Sequence, residues 1–141
     1  KGLTTNPSLM RKSGVKNYEL FCKCNEINER RRSLSLFISN LLNYDVVDCD
    51  IILNIITMLH SNIEEMILIE NKGPSVLEIV ENVSIIIQNS LDKLIKNDNW
   101  GKILDYVNIM RVRKNKQYVS LPSKSIFKYM DIYDKIKDLE K

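Results

Sequence analysis

The sequence predicts an all-α fold, a helical-repeat stack of antiparallel helix pairs. Apolar residues recur at spacings of three and four in successive segments, which is the period of an amphipathic helix. Short turns rich in Asp, Asn, Gly and Pro separate these segments, and short connections favour antiparallel neighbours. No segment alternates apolar and polar residues over the length of a strand. Repeated helix pairs of this kind indicate a helical-repeat architecture.

The chain of 141 residues suits one domain with a short leading segment. Residues 1–16 contain the turn signals Asn6-Pro7 and Ser13-Gly14, so we predict an irregular N-terminal segment there. Residues 17–141 are predicted to form the helical-repeat domain. Its first two helices are expected near residues 18–29 and 31–43. The second would bury one stripe, formed by Leu34, Phe37, Ile38, Leu41 and Leu42.

An acidic elbow over residues 45–50 is predicted to join this helix to the next. Asp48 or Asp50 is placed to cap the following helix, where a carboxylate meets free backbone N–H groups. One face of that helix would carry Ile51, Ile52, Ile55, Met58 and Leu59. A second apolar group either continues the helix or forms a short one of its own: Ile63, Met66, Ile67 and Ile69.

The turn Asn71-Lys72-Gly73-Pro74 predicts an end to this region, because Gly suits the position after a helix and Pro cannot continue one. Ser75 and Glu78 then predict a capping box. The helix that they open would reach about Lys96, and its broad apolar stripe predicts a central position.

Two more helices are predicted near the C-terminal end, which gives six or seven in all. One runs from Trp100 to Met110, and a basic loop over residues 111–116 and an extended segment over 118–122 follow it. The last helix starts near Ser123. Three aromatic residues fall on apolar stripes and are expected to anchor the core: Phe37, Trp100 and Phe127.

Charge is segregated along the chain although the net charge is only +3. Residues 1–35 carry a net +5, residues 36–110 a net −7 and residues 111–141 a net +5. Such a distribution can offer different faces to different partners, although solvated helix faces would give the same pattern. The absence of alanine and the nineteen isoleucines favour an AT-rich source genome, such as that of a large DNA virus or an AT-rich protist.

Enzyme chemistry, metals and membranes are not indicated by the sequence. Cys22, Cys24 and Cys49 lack metal or redox spacing and are expected to be reduced thiols, and His60 is the single histidine. Asp131 and Asp134 are expected to pair with Lys124, Lys128 or a neighbouring helix. We therefore expect no catalytic residue, no metal and no cofactor. No apolar leader or span is seen, so the expected location is the cytoplasm.

Three charged groups are the candidate contacts with a partner protein or RNA. Arginine suits bidentate contact with phosphate, and loops often carry binding residues. The alternative for every group is a solvated surface. The candidates are the cluster Arg30, Arg31 and Arg32, the elbow carboxylates Asp45, Asp48 and Asp50, and the basic residues Arg111, Arg113, Lys114, Lys116 and Lys124.

From about Phe21 onward the chain resembles the middle domain of eukaryotic translation initiation factor 4G, a HEAT-like stack. Residues 24–32 are similar to a polar helix that ends in a basic cluster, and residues 33–42 to the family's signature helix around Phe37-Ile38. Residues 123–134 match a helix with Ser123-Lys124, Phe127, Asp131-Ile132 and Asp134. The family usually has Gly at the position of Ser39 and Arg at that of Ile136. Its domain is longer, so this chain would be a partial or short version.

The resemblance implies a non-enzymatic translation-initiation scaffold. Such a scaffold binds a DEAD-box RNA helicase of the initiation factor 4A type, contacts RNA, and meets a cap-binding protein through regions outside this chain. A scaffold of the same fold in mRNA decay, cap binding or splicing is the alternative.

A second resemblance concerns residues 1–23, where Thr4-Thr5-Asn6-Pro7-Ser8-Leu9 looks like a strand-and-loop segment of transaldolases. It would imply a fragment of a sugar-phosphate aldolase. That chemistry requires a Schiff-base lysine inside an α/β barrel of roughly 200 residues or more.

Overall fold

The structure, a computed structural model, describes the backbone of residues 7–141 and the side chains of residue 16, residues 18–20 and residues 22–141. The described residues form five α-helices and a short 3-10 helix, and they contain no strand. The helices are α1 (Pro7–Asn43), α2 (Cys49–Met66), α3 (Gly73–Leu94), α4 (Trp100–Val112) and α5 (Ser123–Glu140), with the 3-10 helix at Asn115–Gln117. The predicted all-α stack is confirmed.

The chain consists of two compact units, Lys1–Arg31 and Arg32–Lys141. In the first unit, residues 7–31 belong to α1, and Tyr18, Leu20 and Ile27 are exposed there. The prediction of an irregular segment is therefore wrong for residues 7–16, whereas residues 1–6 lie outside the described part. The helices predicted near residues 18–29 and 31–43 are one continuous helix. The segment that resembles a transaldolase strand and loop is helical from residue 7 to residue 23.

The second unit is a two-layer stack of helices. α2 packs against α3 and α4, and α5 packs against α3 and α4. Alternate helices therefore lie side by side, α2 beside α4 and α3 beside α5, as in a helical repeat. The core between the layers is aliphatic and includes the fully buried Ile56, Val80, Ile87, Leu94 and Val107.

A polar seam joins the second half of α1 to α3. The Ser35 hydroxyl donates to Oδ1 of Asn82 over 2.7 Å, and Nδ2 of Asn89 donates to the Ser39 hydroxyl over 2.7 Å. Nδ2 of Asn43 donates to the carbonyl of Asn89 over 2.9 Å. Every buried polar group in the seam gains a partner, which offsets its loss of water.

The predicted apolar stripe of α1 is wrong for two of its five residues. Leu42 is buried and Ile38 and Leu41 are half-buried, but Leu34 and Phe37 are more than half exposed. The serines take the face toward α3 because that face of α3 carries asparagines. Phe37 is therefore not a core anchor, and neither is the exposed Phe127, whereas the buried position of Trp100 is confirmed.

The helix boundaries decide between two alternatives and correct two further predictions. Ile63 and Met66 continue α2, which is one of the two alternatives stated for this apolar group. α3 begins at Gly73, with Pro74 in its first turn, and the capping box of Ser75 with Glu78 does not form. The Glu78 carboxylate instead binds the Arg32 guanidinium of α1.

The segment predicted to be extended, residues 118–122, forms hydrogen bonds with the loop between α2 and α3 through Ser120. The Ser120 amide donates to the carbonyl of Ile67 over 3.0 Å. The Ser120 hydroxyl donates to the carbonyl of Ile69 over 2.5 Å and accepts from the Lys72 amide over 3.1 Å. These bonds satisfy orphan carbonyl groups beyond the C-terminus of α2.

Candidate functional site

The predicted basic loop is divided between a helix end and a loop, and its side chains have different roles. Arg111 and Val112 belong to the last turn of α4, and only residues 113–116 lie beyond the helix. Lys114 and Lys116 are exposed around the 3-10 helix, and Lys124 is exposed in the first turn of α5. These three lysines remain candidate partner contacts.

Arg113 lies on the inside of this region. Its Nη1 and Nη2 atoms bind the two carboxylate oxygens of Glu64 over 2.5 and 2.6 Å. This hydrogen-bonded pair lowers the pKa of Glu64 and raises the pKa of Arg113. Arg113 therefore does not belong to the predicted contact surface, because its guanidinium donors bind the Glu64 carboxylate and connect the end of α4 to α2.

Arg111 is half-buried over an aromatic ring. Its guanidinium carbon lies 3.9 Å from the ring centroid of Tyr133, and its Nε donates to Oδ1 of Asn108 over 3.0 Å. The ammonium of Lys137 lies 5.4 Å from the same ring. This cation–π group gives a positively charged surface with little side-chain freedom at the end of the stack.

In the arginine cluster and in the acidic elbow, some of the predicted contact residues are exposed and others bind a neighbouring side chain. Arg30 and Arg31 are exposed in the first unit, whereas Arg32 binds Glu78. In the elbow, Asp45 has a φ of 59° and binds the Lys93 ammonium over 2.5 Å. Oδ1 of Asp50 accepts from Asn97 over 3.0 Å.

Asp48 stands at the cap position of α2 but makes no side-chain cap hydrogen bond. It is exposed, and its carboxylate lies near the positive end of the helix dipole. The predicted capping role is therefore correct in position only. Of the elbow carboxylates, Asp48 is best placed to meet a cationic partner.

A buried polar cluster was not predicted from the sequence. The ring of His60 stacks on Tyr106 at a centroid distance of 3.9 Å, and Tyr129 lies 5.9 Å from His60. The Tyr106 hydroxyl donates to Oε2 of Glu64 over 3.2 Å, next to Arg113. The only available signal was the spacing of His60 and Glu64, one turn apart on α2.

Burial governs the protonation of this cluster. Desolvation lowers the pKa of His60 to about 3, against a small opposing effect of the Glu64 charge. Burial also raises the pKa values of Tyr106 and Tyr129. His60 is therefore neutral at pH 7. The cluster connects α2 with α4 and α5, and within the described residues His60 Nε2 and the Tyr129 hydroxyl make no hydrogen bond.

We predict that Glu64→Ala lowers the free energy of unfolding by about 1–2 kcal/mol. The substitution leaves the mostly buried Arg113 guanidinium without its carboxylate, and the partial exposure of Glu64 keeps the loss below that of a fully buried pair. The exposed neighbour Glu65→Ala is the matched control and should change stability by less than about 0.5 kcal/mol. Urea unfolding followed by circular dichroism measures both, and equal losses would contradict the prediction.

Asp131 and Asp134 are exposed, and the expected partner Lys128 binds Glu81 of α3 over 3.3 Å. A cleft of about 360 Å³ between α2 and α4 is lined by Asp50, Leu53, Asn54, Thr57, Asn99 and Lys102. Residues 7–141 hold no group of three His, Cys, Asp or Glu that could bind a metal ion.

No helix among the described residues is both long enough and apolar enough to cross a bilayer. The two departures from the initiation factor 4G pattern have structural roles in this fold. The Ser39 hydroxyl accepts from Asn89 in the polar seam, and Ile136 is buried in the core. No protein-family model, curated protein or solved structure matches the chain.

Proposed function

We propose that this chain is a non-enzymatic scaffold that binds a DEAD-box RNA helicase of the initiation factor 4A type. The observation that carries the proposal is the two-layer stack of helices α2 to α5. Stacks of this kind offer long, rigid surfaces on which partners bind. The choice of a helicase rests on the resemblance of three sequence stretches to the initiation factor 4G middle domain.

Surface exposure supports a role in binding. Phe37 and Phe127, which belong to two of these stretches, are exposed, so they are available for contact with a partner. Lys114 and Lys116 are exposed beside the cation–π group of Arg111 and Tyr133. Aromatic and arginine side chains held in place contribute strongly to interfaces because little freedom is lost on binding.

The scaffold would act by orienting the helicase, which performs the ATP chemistry itself. Binding both helicase lobes on one rigid surface limits their relative motion. It thereby raises the fraction of time spent in the productive arrangement. The lysines at residues 114 and 116 would contact an acidic surface of one lobe and increase the rate of association.

The test is a binding and ATPase assay with purified DEAD-box helicase at low salt. We expect binding and an increase in ATPase rate. The double substitution Lys114→Glu and Lys116→Glu should weaken binding roughly tenfold, about 1.4 kcal/mol. A matched control reverses two exposed lysines elsewhere, Lys96→Glu and Lys135→Glu. No binding and no stimulation by the unsubstituted chain would refute the proposal.

A further inference from the structure

Within the unit Arg32–Lys141, an apolar surface is exposed at the α1–α2 end of the stack. Along α1, Leu34, Phe37 and Leu41 follow the 3–4 spacing of a helix-packing stripe, and the first two are more than half exposed. Along α2, Ile51 and Met58 are also more than half exposed. We call these residues, together with the half-exposed Ile55, the open end: Leu34, Phe37, Leu41, Ile51, Ile55 and Met58.

The open end faces away from the rest of the stack. At about 100° per residue, the stripe of α1 lies roughly opposite the seam residues Ser35 and Ser39, which contact α3. The stripe of α2 is centred about 130° from Thr57, which borders the cleft toward α4, and Asn54 lies between these two faces. Both stripes therefore lie where one more helix would continue the two layers.

Both ends of the stack expose apolar side chains. At the α4–α5 end, Phe127 and Met130 are exposed on α5, and Arg111 and Lys137 cover the ring of Tyr133 nearby. At the α1–α2 end the exposed apolar side chains form two stripes, one on each helix, and large exposed apolar patches mark interaction sites.

Charge defines the occupant of the open end. On α2 the stripe continues at the same 3–4 spacing to Asp48 at one end and Glu65 at the other, and both carboxylates are exposed. They are about 25 Å apart along the helix. The chain segment of residues 36–110, which contains every residue of the open end except Leu34, carries a net charge of −7. A helix docked here would therefore be favoured by cationic residues at its two ends.

We propose that the open end binds an amphipathic helix of a partner protein, about 18–20 residues long, with an apolar stripe and Lys or Arg near both ends. The helix would place its apolar side chains between the stripes of α1 and α2, which is the helix-in-groove mode of recognition. This proposal does not depend on the identity of the partner as a helicase.

The test uses a synthetic 20-residue amphipathic peptide with lysines at both ends, titrated against the full chain by fluorescence anisotropy. We expect saturable binding, and at least tenfold weaker binding of the same peptide with glutamates at its ends. Phe37→Asp should weaken binding of the lysine-ended peptide at least tenfold. The matched control is Val119→Asp, because Phe37 and Val119 are 57% and 63% exposed and Val119 lies outside the open end, and it should leave binding unchanged.

Reversing the charges of Asp48 and Glu65 gives a second test, in which a misfolded variant would bind neither peptide and a folded one should change its preference. The chain with Asp48→Lys and Glu65→Lys should prefer the glutamate-ended peptide. Equal binding of both peptides to the unsubstituted chain, or equal loss in Phe37→Asp and Val119→Asp, would overturn the proposal. So would sedimentation that shows a dimer abolished by Phe37→Asp, because the occupant would then be a second copy. The proposed function is tested separately by the helicase assay with Lys114→Glu and Lys116→Glu, since these two lysines lie outside the open end.

Discussion

Ile56→Ala is expected to lower the free energy of unfolding by about 3–4 kcal/mol, the largest effect of any single substitution proposed for this protein. Ile56 is fully buried between the layers of the stack, and its neighbours cannot fill the cavity that alanine would leave. Chemical unfolding monitored by far-ultraviolet circular dichroism measures the loss.

Ile51→Ala is the matched control for Ile56→Ala. Both isoleucines lie on α2, but Ile51 is 51% exposed and belongs to the open end. We expect a change within about 0.5 kcal/mol, partly because alanine has the higher helix propensity. A loss at Ile51 as large as that at Ile56 would mean that the α1–α2 end is covered in solution.

The second large effect is a loss of stability in acid that depends on His60. Its pKa in the folded chain is about 3, below the ordinary value of 6.5, so the unfolded chain binds the proton more readily. Stability from this group is therefore complete above about pH 6.5 and is lost as the pH falls toward 3. The slope in that window is expected to be about 1.4 kcal/mol per pH unit.

His60→Phe isolates this contribution. Phenylalanine keeps a ring against Tyr106 and removes the buried Nε2 atom, which makes no hydrogen bond within the described residues. The variant should therefore be at least as stable as the unsubstituted chain at pH 7. Unfolding curves at pH values between 4.5 and 7 should show a smaller slope for the variant. If the free energy of unfolding changed with pH by the same slope in both chains, His60 would not be the group responsible for the loss of stability in acid.

Residue pattern alone was sufficient for helices α2 to α5 and their order, but not for α1, which was predicted as an irregular segment and two helices. The 3–4 recurrence of isoleucine and leucine between Ile51 and Ile136 predicts helices because burial of one stripe per helix is a local property of spacing. The stop at Asn71 to Pro74 and the restart near Trp100 follow from backbone chemistry of Gly, Pro and Asn. These elements agree with α2 to α5 to within a few residues.

The choice of buried face on α1 could not be predicted. Leu34 and Phe37 form a more apolar stripe than Ser35 and Ser39, so the sequence pattern predicts that the face with Leu34 and Phe37 is buried. The structure buries the serines because Asn82 and Asn89 of α3 offer hydrogen bonds to that side. A helix face is selected by the chemistry of its neighbour, and that neighbour is 46 to 50 residues away in the sequence.

The candidate site was predictable as a set of charges but not as a surface. The sequence by itself determined that the chain forms stacked helices with an acidic middle, because spacing and charge are local quantities. Only the tertiary structure decided that Arg113 lies on Glu64, that Lys114 and Lys116 point to solvent, and that His60 is buried with two tyrosines. The physical reason is that the availability of a side chain depends on long-range contacts, which no local pattern contains.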